Sequence, residues 1–187
     1  MRSNSHINWV SKTSCFVVQY ASMSVLQFFS PTKGRVNQVE VIGDIVSFIR
    51  EDHNALYNLA IGTDSHSRED DAPRSVEFVT ALVIHRKGFG GRYFWQKKVV
   101  DKVATLRDRI YMETMLSVNF AQSFLPELKM ALTNGETYDL EIHIDVGEKG
   151  QTREMIKEVV GIVVGNGFTA KTKPESYGAS IVADKHT

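Results

Sequence analysis

Residues 56–100 contain three strand-like runs in succession, with no helical pattern between them. The first is LYNLAIGTDS at residues 56–65, the second is VEFVTALVIHR at residues 76–86, and the third is RYFWQKKVV at residues 92–100. β-branched and aromatic residues favour strands, and the intervening KGFGG has the glycines of a hairpin turn. Three consecutive strands without a helix between them predict an antiparallel meander. Any fold for this chain must contain that meander.

Strand and helix patterns alternate after the meander. A helix is predicted from Thr105, where Thr105 and Asp108 form the pattern of a capping box, and we expect it to kink or end near Pro126. The remaining patterns occur in YDLEIHIDV, TREMIKEVVGIVV, FTAKTKP and ESYGASIVADKHT, at residues 138–146, 152–164, 168–174 and 175–187. In this order they predict a strand, a helix, a strand and a helix.

An amphipathic helix is predicted before the meander, in NQVEVIGDIVSFIRED at residues 37–52. Its apolar residues recur at helical spacing, at positions Val39, Ile42, Ile45, Val46 and Ile49. Three antiparallel strands followed by parallel strands with crossover helices make a mixed sheet with helices on its faces. The predicted fold class is therefore α/β, with an extra N-terminal helix.

Length and composition indicate one globular domain. The chain has 187 residues, of which 42% are hydrophobic and 24% are charged, as in ordinary soluble proteins. We predict a single domain over residues 28–187, preceded by a poorly defined extension at residues 1–27. Lys and Arg together number 22, as do Asp and Glu, so any contact with nucleic acid must depend on a local basic patch.

The early apolar run CFVVQYASMSVLQFF, at residues 15–29, does not predict a membrane helix. Polar residues interrupt it, and it falls short of the roughly 20 apolar residues that a membrane helix needs. It also makes a poor signal peptide, because the charged start is weak and the apolar region is short. The one cysteine, Cys15, cannot form an intrachain disulfide. These features predict a cytoplasmic protein without a membrane segment, and they leave its oligomeric state open.

Two of the predicted strands end in an aspartate. Asp64 closes IGTDS and Asp145 closes the strand in HIDVG. Either residue by itself is explained as a turn or capping aspartate at a strand exit. Together they are more informative, because sites in α/β sheets form beyond the carboxyl ends of parallel strands. Neighbouring strands would bring both carboxylates to one place.

Two helices carry further acids that could reach the same place. Glu113 lies between Ile110 and Leu116, on or beside the apolar face of its helix, where a carboxylate is costly unless it is paired or bound to a metal. The alternative for Glu113 is an ion pair with Arg109, one turn earlier. Asp184 lies in the last helix, and its alternative is a solvated acid near the end of the chain.

Four converging carboxylates suit hard divalent cations. Mg²⁺ takes oxygen ligands, usually a few carboxylates together with substrate phosphate. Two such ions, roughly 3.5 to 4 Å apart, activate a water and stabilise the leaving oxygen when a phosphodiester is cleaved. The acids are therefore compatible with metal-dependent hydrolysis of phosphodiester bonds.

Six motifs occur in a specific order: FIRED, IGTDS, YMETMLS, HIDVG, TREMIKEVVG and KPESYGASIVADKHT, all within residues 28–187. In order and spacing they resemble the ribonuclease H-like YkuK family of small bacterial proteins. The resemblance implies a ribonuclease H-like mixed sheet and a nuclease that uses two Mg²⁺ or Mn²⁺ ions, with RNA or an RNA/DNA hybrid favoured as substrate. The catalytic metal ligands that it implies are Asp64, Glu113, Asp145 and Asp184.

Basic residues near this predicted site indicate where nucleic acid would lie. The segment QKKVVDKVATLRDR, at residues 96–109, has five basic and two acidic residues. Its functional interpretation is phosphate contact, and its alternative is an ordinary charged face of a strand and a helix. The residues predicted to contact nucleic acid are Lys97, Lys98, Lys102, Lys171 and Lys173.

Two histidines lie close to the predicted acids in sequence. His143 shares a strand face with Asp145 and is interpreted as a structural histidine with satisfied hydrogen bonds. His186 follows Asp184 by two residues. It is interpreted as a disordered terminal residue, with assistance to proton transfer as the functional alternative.

Two other functions stay open. The segment DVGEKGQTRE, at residues 145–154, joins an acid, glycines and a helix N-terminus that can hold an anion, which would suit ATP or phosphate handling. Against it, the sequence has no Walker-type phosphate-binding motif. The other alternative is a non-catalytic nucleic-acid or protein-binding module with a degenerate site. Failure of the four carboxylates to converge would favour that module.

Overall fold

The computed structural model describes residues 27–67, 75–147 and 153–187. The strands in these residues are β1 Gln27–Ser30, β2 Gly34–Asn37, β3 Tyr57–Ser67, β4 Ser75–Arg86, β5 Gly90–Asp101, β6 Asp139–His143 and β7 Thr169–Lys171. The helices are α1 Gln38–Arg50, α2 Leu106–Ala131, α3 Ile156–Gly165 and α4 Tyr177–His186, with a 3₁₀ turn at Arg153–Met155 before α3. No helix among the described residues is long and apolar enough to cross a membrane.

The predicted antiparallel meander is confirmed in strands β3, β4 and β5. β3 pairs with β4 along its whole length, and β4 pairs with β5 from Ser75↔Asp101 to Arg86↔Gly90. Gly88 and Gly90 have positive φ in the β4–β5 turn, a backbone conformation that favours glycine. One boundary was predicted wrongly: β3 continues to Ser67, so Asp64 lies inside the strand and pairs with Val79.

Parallel pairing extends the sheet on the other side of β3. β6 lies parallel to β3, with Ile142 beside Ile61, and β7 lies parallel to β6. The seven strands form one mixed sheet in the order β2-β1-β5-β4-β3-β6-β7. This arrangement confirms the predicted α/β fold class of ribonuclease H type. It also brings the carboxyl ends of β3, β6 and β7 to the same edge of the sheet.

The hairpin of β1 and β2 was not predicted as strands. Its turn does coincide with the predicted turn SPTKG, residues 30–34, and β1 pairs with β5 at Phe29↔Trp95. Phe28 is fully buried, and its ring lies 5.8 Å from that of Phe120, centroid to centroid. This hairpin depends on contacts with α2 and β5, which local periodicity does not register. The rest of the predicted extension, including Cys15, lies outside the described residues.

Two of the predicted helices differ in detail from the expectation. α1 is present and begins with a capping box of Asn37 and Glu40, but Val39 is 75% exposed and does not belong to its buried face. The predicted capping box of Thr105 and Asp108 starts α2. Pro126 does not end α2, which continues through it to Ala131.

The two faces of β3 carry different side chains and receive different helices. Leu59 and Ile61 point into the main core, which includes residues of α1, α2 and α3. The opposite face, with Ala60 and Gly62, lies against α4. A Cβ atom on Gly62 would approach the Ala179 Cβ to 3.0 Å. The small residues on one face of β3 therefore let α4 approach closely.

Candidate metal-binding site

Asp64 occupies the centre of the candidate site. Strand alternation places its side chain on the α4 face of β3, and the Ser65 backbone N–H donates a 2.8 Å hydrogen bond to its Oδ1. Partial burial raises the pKa of Asp64, and the negative charges of Asp145 and Asp184 raise it further. The structure thus places three of the four predicted acids within electrostatic reach of one another.

Glu113 approaches the site from α2, on the opposite face of β3. Its side chain is buried, and the Ser65 hydroxyl donates a 2.5 Å hydrogen bond to Glu113 Oε1. Burial raises the pKa of Glu113 to about 8, and the charges of Asp64 and Asp145 act in the same direction. A carboxyl group in this environment is largely protonated at neutral pH unless a cation approaches it.

Arg109 has a different role from the one considered in the sequence. Its Nε donates a 3.0 Å hydrogen bond to Ser65 Oγ, and its other nitrogens bind the Ser65 carbonyl and Ser67 Oγ. Arg109 therefore holds the end of β3, and its positive charge lowers the pKa of Glu113. The serine between the two side chains connects Arg109 to Glu113.

Buried hydroxyl groups support Glu113 one turn further along α2. Ser117 Oγ lies 2.9 Å from Thr63 Oγ1 and 3.0 Å from the Glu113 carbonyl oxygen. Thr63 Oγ1 in turn lies 2.9 Å from Thr80 Oγ1 on β4. These residues were not predicted from the sequence. Their only local signal is that hydroxyl side chains occupy inward positions beside the acids.

Asp145 lies two residues beyond the end of β6. The backbone continues beside the end of β7 through two 2.9 Å hydrogen bonds, from Ile144 N to the Lys171 carbonyl and from Lys173 N to the Val146 carbonyl. Lys173 Nζ forms an ion pair with Asp145 Oδ1 at 2.8 Å. The negative charge of Asp145 is therefore balanced by the ammonium group of Lys173.

Asp184 lies on α4 and faces the same side of the sheet as Asp64. It lines a pocket of about 340 Å³ with Asp145, Lys173, Ser176 and Ser180. Asp184 is exposed, but its charge still contributes to the raised pKa of Asp64. The packing of α4 on β3 and β4 places this residue beside the edge of the sheet.

The four predicted acids face a common region but do not form an assembled metal centre. Among the described residues, no group of three or more Asp, Glu, His or Cys side chains is arranged to hold a metal ion. The set nevertheless fits a hard divalent cation in its chemistry, because every donor is an oxygen and the acids repel one another. Binding would require Glu113 to lose its proton and Asp145 to exchange Lys173.

The five predicted nucleic-acid contacts are distributed over the sheet. Lys97 and Lys98 are adjacent on β5, so they point to opposite faces, and Lys97 pairs with Glu77 at 2.7 Å. Lys102 follows β5 with a φ of 62°. Lys171 pairs with Glu175 at 3.1 Å, and Lys173 pairs with Asp145. Their contact with nucleic acid stays a prediction.

Both histidines are held by the fold. His143 is buried, its Nδ1 accepts a 3.2 Å hydrogen bond from Ala179 N, and its Nε2 lies 3.3 Å from Glu141 Oε2. Its predicted structural role agrees with these contacts. The prediction that His186 is disordered is wrong, because its ring stacks on Trp95 at 3.7 Å with an interplanar angle of 7°.

Half of the DVGEKGQTRE segment, which the sequence suggests as an anion site, lies outside the described residues. Residues 148–152 and the loop 68–74 are not among the described residues. The described part begins again at the 3₁₀ turn Arg153–Met155. The ATP or phosphate alternative therefore stays a prediction.

Comparison with known proteins gives two matches. A family model described as Ribonuclease H-like matches residues 40–187. The uncharacterized protein YkuK of Bacillus subtilis (strain 168) is 33% identical over 169 residues, which cover 86% of this chain and 96% of that protein. No solved structure matches the chain significantly.

Proposed function

The chain belongs to the ribonuclease H-like family, and we propose that it is a divalent-metal-dependent nuclease that hydrolyses phosphodiester bonds of nucleic acid. RNA or an RNA/DNA hybrid is the favoured substrate in this proposal. The observation that supports it is that Asp145 and Asp184 line one pocket and lie close enough to Asp64 for their charges to add to the burial that raises the pKa of Asp64. Carboxylates that repel one another in this way favour a bound cation.

In this proposal the protein holds two Mg²⁺ or Mn²⁺ ions through Asp64, Glu113, Asp145 and Asp184. When bound, the ions would activate a water and stabilise the departing 3′ oxygen. Asp64 is positioned by its pairing with Val79 of β4, two residues beyond Gly62↔His143, where the parallel pairing of β3 with β6 ends. Glu113 is oriented by Ser65, and Ser65 is itself held by Arg109.

The proposal places nucleic acid at the sheet edge where β3, β6 and β7 end. Lys97, Lys98, Lys102, Lys171 and Lys173 are proposed as phosphate contacts. The formal net charge of the chain is zero, so these contacts rather than a global field would hold the strand. A cytoplasmic location is part of the same proposal, because the single cysteine gives no intrachain disulfide.

The test is a cleavage panel over single-stranded RNA, RNA/DNA hybrid and DNA, with Mg²⁺, Mn²⁺ or EDTA. We expect cleavage that depends on the metal and that falls by about 100-fold or more in Asp64→Asn and Asp145→Asn. Both substitutions keep the size of the side chain but remove its charge. Asp139→Asn is the matched control, because Asp139 is an exposed acid at the start of β6, the strand that leads to Asp145.

Circular dichroism and thermal unfolding of each variant separate loss of catalysis from loss of the fold. Full activity in both Asp64→Asn and Asp145→Asn would exclude the proposed site. An equal loss in Asp139→Asn would attribute the effect to the sheet and not to the carboxylates.

A non-catalytic binding module is the second candidate, and one observation favours it. Each of three acids is already engaged by the protein: Asp64 by Ser65 N, Glu113 by Ser65 Oγ, and Asp145 by Lys173. Acids that the protein itself engages in this way are expected in a site that no longer binds a metal. Nucleic-acid binding that is equally strong in EDTA and in Mn²⁺, without cleavage, would support this candidate.

A further inference from the structure

Lys173 occupies the place of a cation beside the candidate site. Its Nζ lies 2.8 Å from Asp145 Oδ1, and the charges of Asp64 and Asp184 also favour its protonated form. Its side chain is 59% exposed, so it can leave Asp145 without disturbing the core. One exposed ammonium group thus lies within electrostatic reach of three of the four acids.

Two serines that line the pocket beside Lys173 have buried hydroxyl groups with no hydrogen-bond partner in the described part of the chain. Ser176 is 1% exposed and Ser180 is 7% exposed, and both line the pocket with Asp145 and Asp184. Neither Oγ has a hydrogen-bond partner among the described residues. Ser176 is the N-cap residue of α4, yet its hydroxyl makes no capping bond. Because an unpaired buried hydroxyl is costly, these two indicate a ligand that supplies the missing partner.

The charges around the pocket determine when an anion can enter it. Asp145 and Asp184 carry two negative charges against the one positive charge of Lys173. Without a metal this balance repels an anion. A divalent cation on the carboxylates would reverse the balance and release Lys173, so that the ammonium becomes available as a donor beside the two unpaired hydroxyls.

We propose that this pocket is a subsite for a phosphate group of the nucleic-acid strand, and that Lys173 exchanges Asp145 for this phosphate when a divalent cation binds. The inference rests on the metal site of the proposed function, which it extends to a substrate contact and to an order of binding. Lys173 is thereby a competitor of the metal and a partner of the phosphate. Replacing Lys173 should therefore raise the affinity for the metal and lower the affinity for the nucleic acid.

Lys173→Met is the principal test, with Mn²⁺ binding measured by calorimetry in the absence of nucleic acid. We expect Mn²⁺ to bind about two- to fivefold more tightly, because a largely exposed ion pair no longer competes with it. A fluorescein-labelled RNA hexamer, measured by anisotropy at 4 °C in saturating Mn²⁺, should bind about five- to tenfold more weakly. Electrophoresis checks that the hexamer stays intact.

Ser180→Ala tests the hydroxyl part of the subsite. Mn²⁺ affinity should not change, and the hexamer should bind about fivefold more weakly. Lys129→Met is the matched control, because Lys129 is an exposed lysine in the last turn of α2 and does not line the pocket. It should change neither affinity by more than about twofold. Thermal unfolding of every variant verifies the fold.

Two results would overturn the inference. One is unchanged or weaker Mn²⁺ binding in Lys173→Met. The other is undiminished hexamer binding in Ser180→Ala. A DNA hexamer of the same sequence separates phosphate from ribose: an effect of Ser180→Ala on RNA alone would assign the pocket to the 2′ hydroxyl and refute the phosphate subsite.

Failure of the phosphate subsite can be distinguished from failure of the proposed nuclease activity. Opposite shifts in Lys173→Met together with no cleavage of any substrate would support the subsite and refute the catalytic activity. Cleavage by the wild type with no change of Mn²⁺ affinity in Lys173→Met would do the reverse. If neither protein binds Mn²⁺, both proposals fail.

Discussion

The two sides of the candidate site place carboxyl groups in different environments. On the α2 side, Glu113 is buried and held by Ser65, which Arg109 holds in turn. On the α4 side, Asp145 is partly exposed and paired with the largely exposed ammonium of Lys173. Burial therefore controls the charge of one acid by protonation, whereas the other acid is neutralised by a lysine that can leave.

This difference implies that a cation must meet two separate conditions before it binds. At the α2 side it has to displace the proton of Glu113, whose pKa is raised to about 8. At the α4 side it has to displace Lys173 from Asp145. Metal affinity should consequently rise with pH, because Glu113 must lose its proton before it can bind a cation. No deprotonation is required at the α4 side. The predictions below test whether the two sides differ as described.

Glu113→Gln should produce the largest change in the free energy of unfolding, measured on the metal-free protein in EDTA. The folded-state pKa of Glu113, about 8, lies above its ordinary value of 4.5. The protonated carboxyl therefore stabilises the fold fully below pH 4.5, and this contribution is lost as pH rises through 8. The amide in E113Q does not titrate, so the variant should gain on the order of 2–4 kcal/mol relative to wild type between pH 5 and pH 8.

The measurement is urea unfolding of both proteins at pH 5, 6, 7 and 8. Asp139→Asn is the control for a carboxylate that lies at the exposed start of β6. Parallel stability curves for wild type and Glu113→Gln would show that Glu113 is ionised in the folded protein. The comparison between the two sides would then be wrong.

Arg109→Ala should have an intermediate effect, on the α2 side alone. The substitution leaves the Ser65 carbonyl and the hydroxyls of Ser65 and Ser67 without their donor. We expect a loss of about 1–3 kcal/mol in the free energy of unfolding. Arg107→Ala is the matched control two positions earlier, because Arg107 is 58% exposed in its pair with Glu158 and should contribute less than about 1 kcal/mol. Equal losses in both variants would contradict a special role for Arg109.

Asp145→Asn should have the smallest effect on the stability of the metal-free protein. Its partner Lys173 is largely exposed, and such ion pairs contribute about 0.2–1 kcal/mol. Urea unfolding at pH 7 should therefore show a change below about 1 kcal/mol, even though the same substitution is expected to abolish cleavage. A loss of several kcal/mol would mean that the α4 side is structural and not an exchangeable site.

Local patterns in the sequence predicted most of the secondary structure. The meander, the capping box of Thr105 and Asp108, and the helical pattern around Glu113 each depend on residues that are close in the chain. The predictions failed where distant contacts decide. Asp64 lies inside β3 because β4 pairs with that strand as far as Ser67, and the β1–β2 hairpin depends on Phe28 reaching α2.

The candidate site shows the same division. The four acids were predicted from the sequence, and their role as metal ligands stays a prediction. Ser65, Ser117 and Ser180 were not predicted, because an isolated serine carries no pattern. Lys173 was predicted as a phosphate contact, and its pair with Asp145 was not foreseen. That pair depends on the parallel alignment of the ends of β6 and β7, which are separated by α3 in the chain.

The sequence by itself determined the order of helices and strands, the alternation that gives β3 one small face, and the identity of the acids. These are local properties, since side-chain periodicity and capping act over a few residues. Only the tertiary structure decided which strands are neighbours, which acid is buried and which lysine opposes it. Such features depend on contacts between residues that are tens of positions apart in the chain, and on the packing that results. Local sequence patterns do not show which of these contacts form.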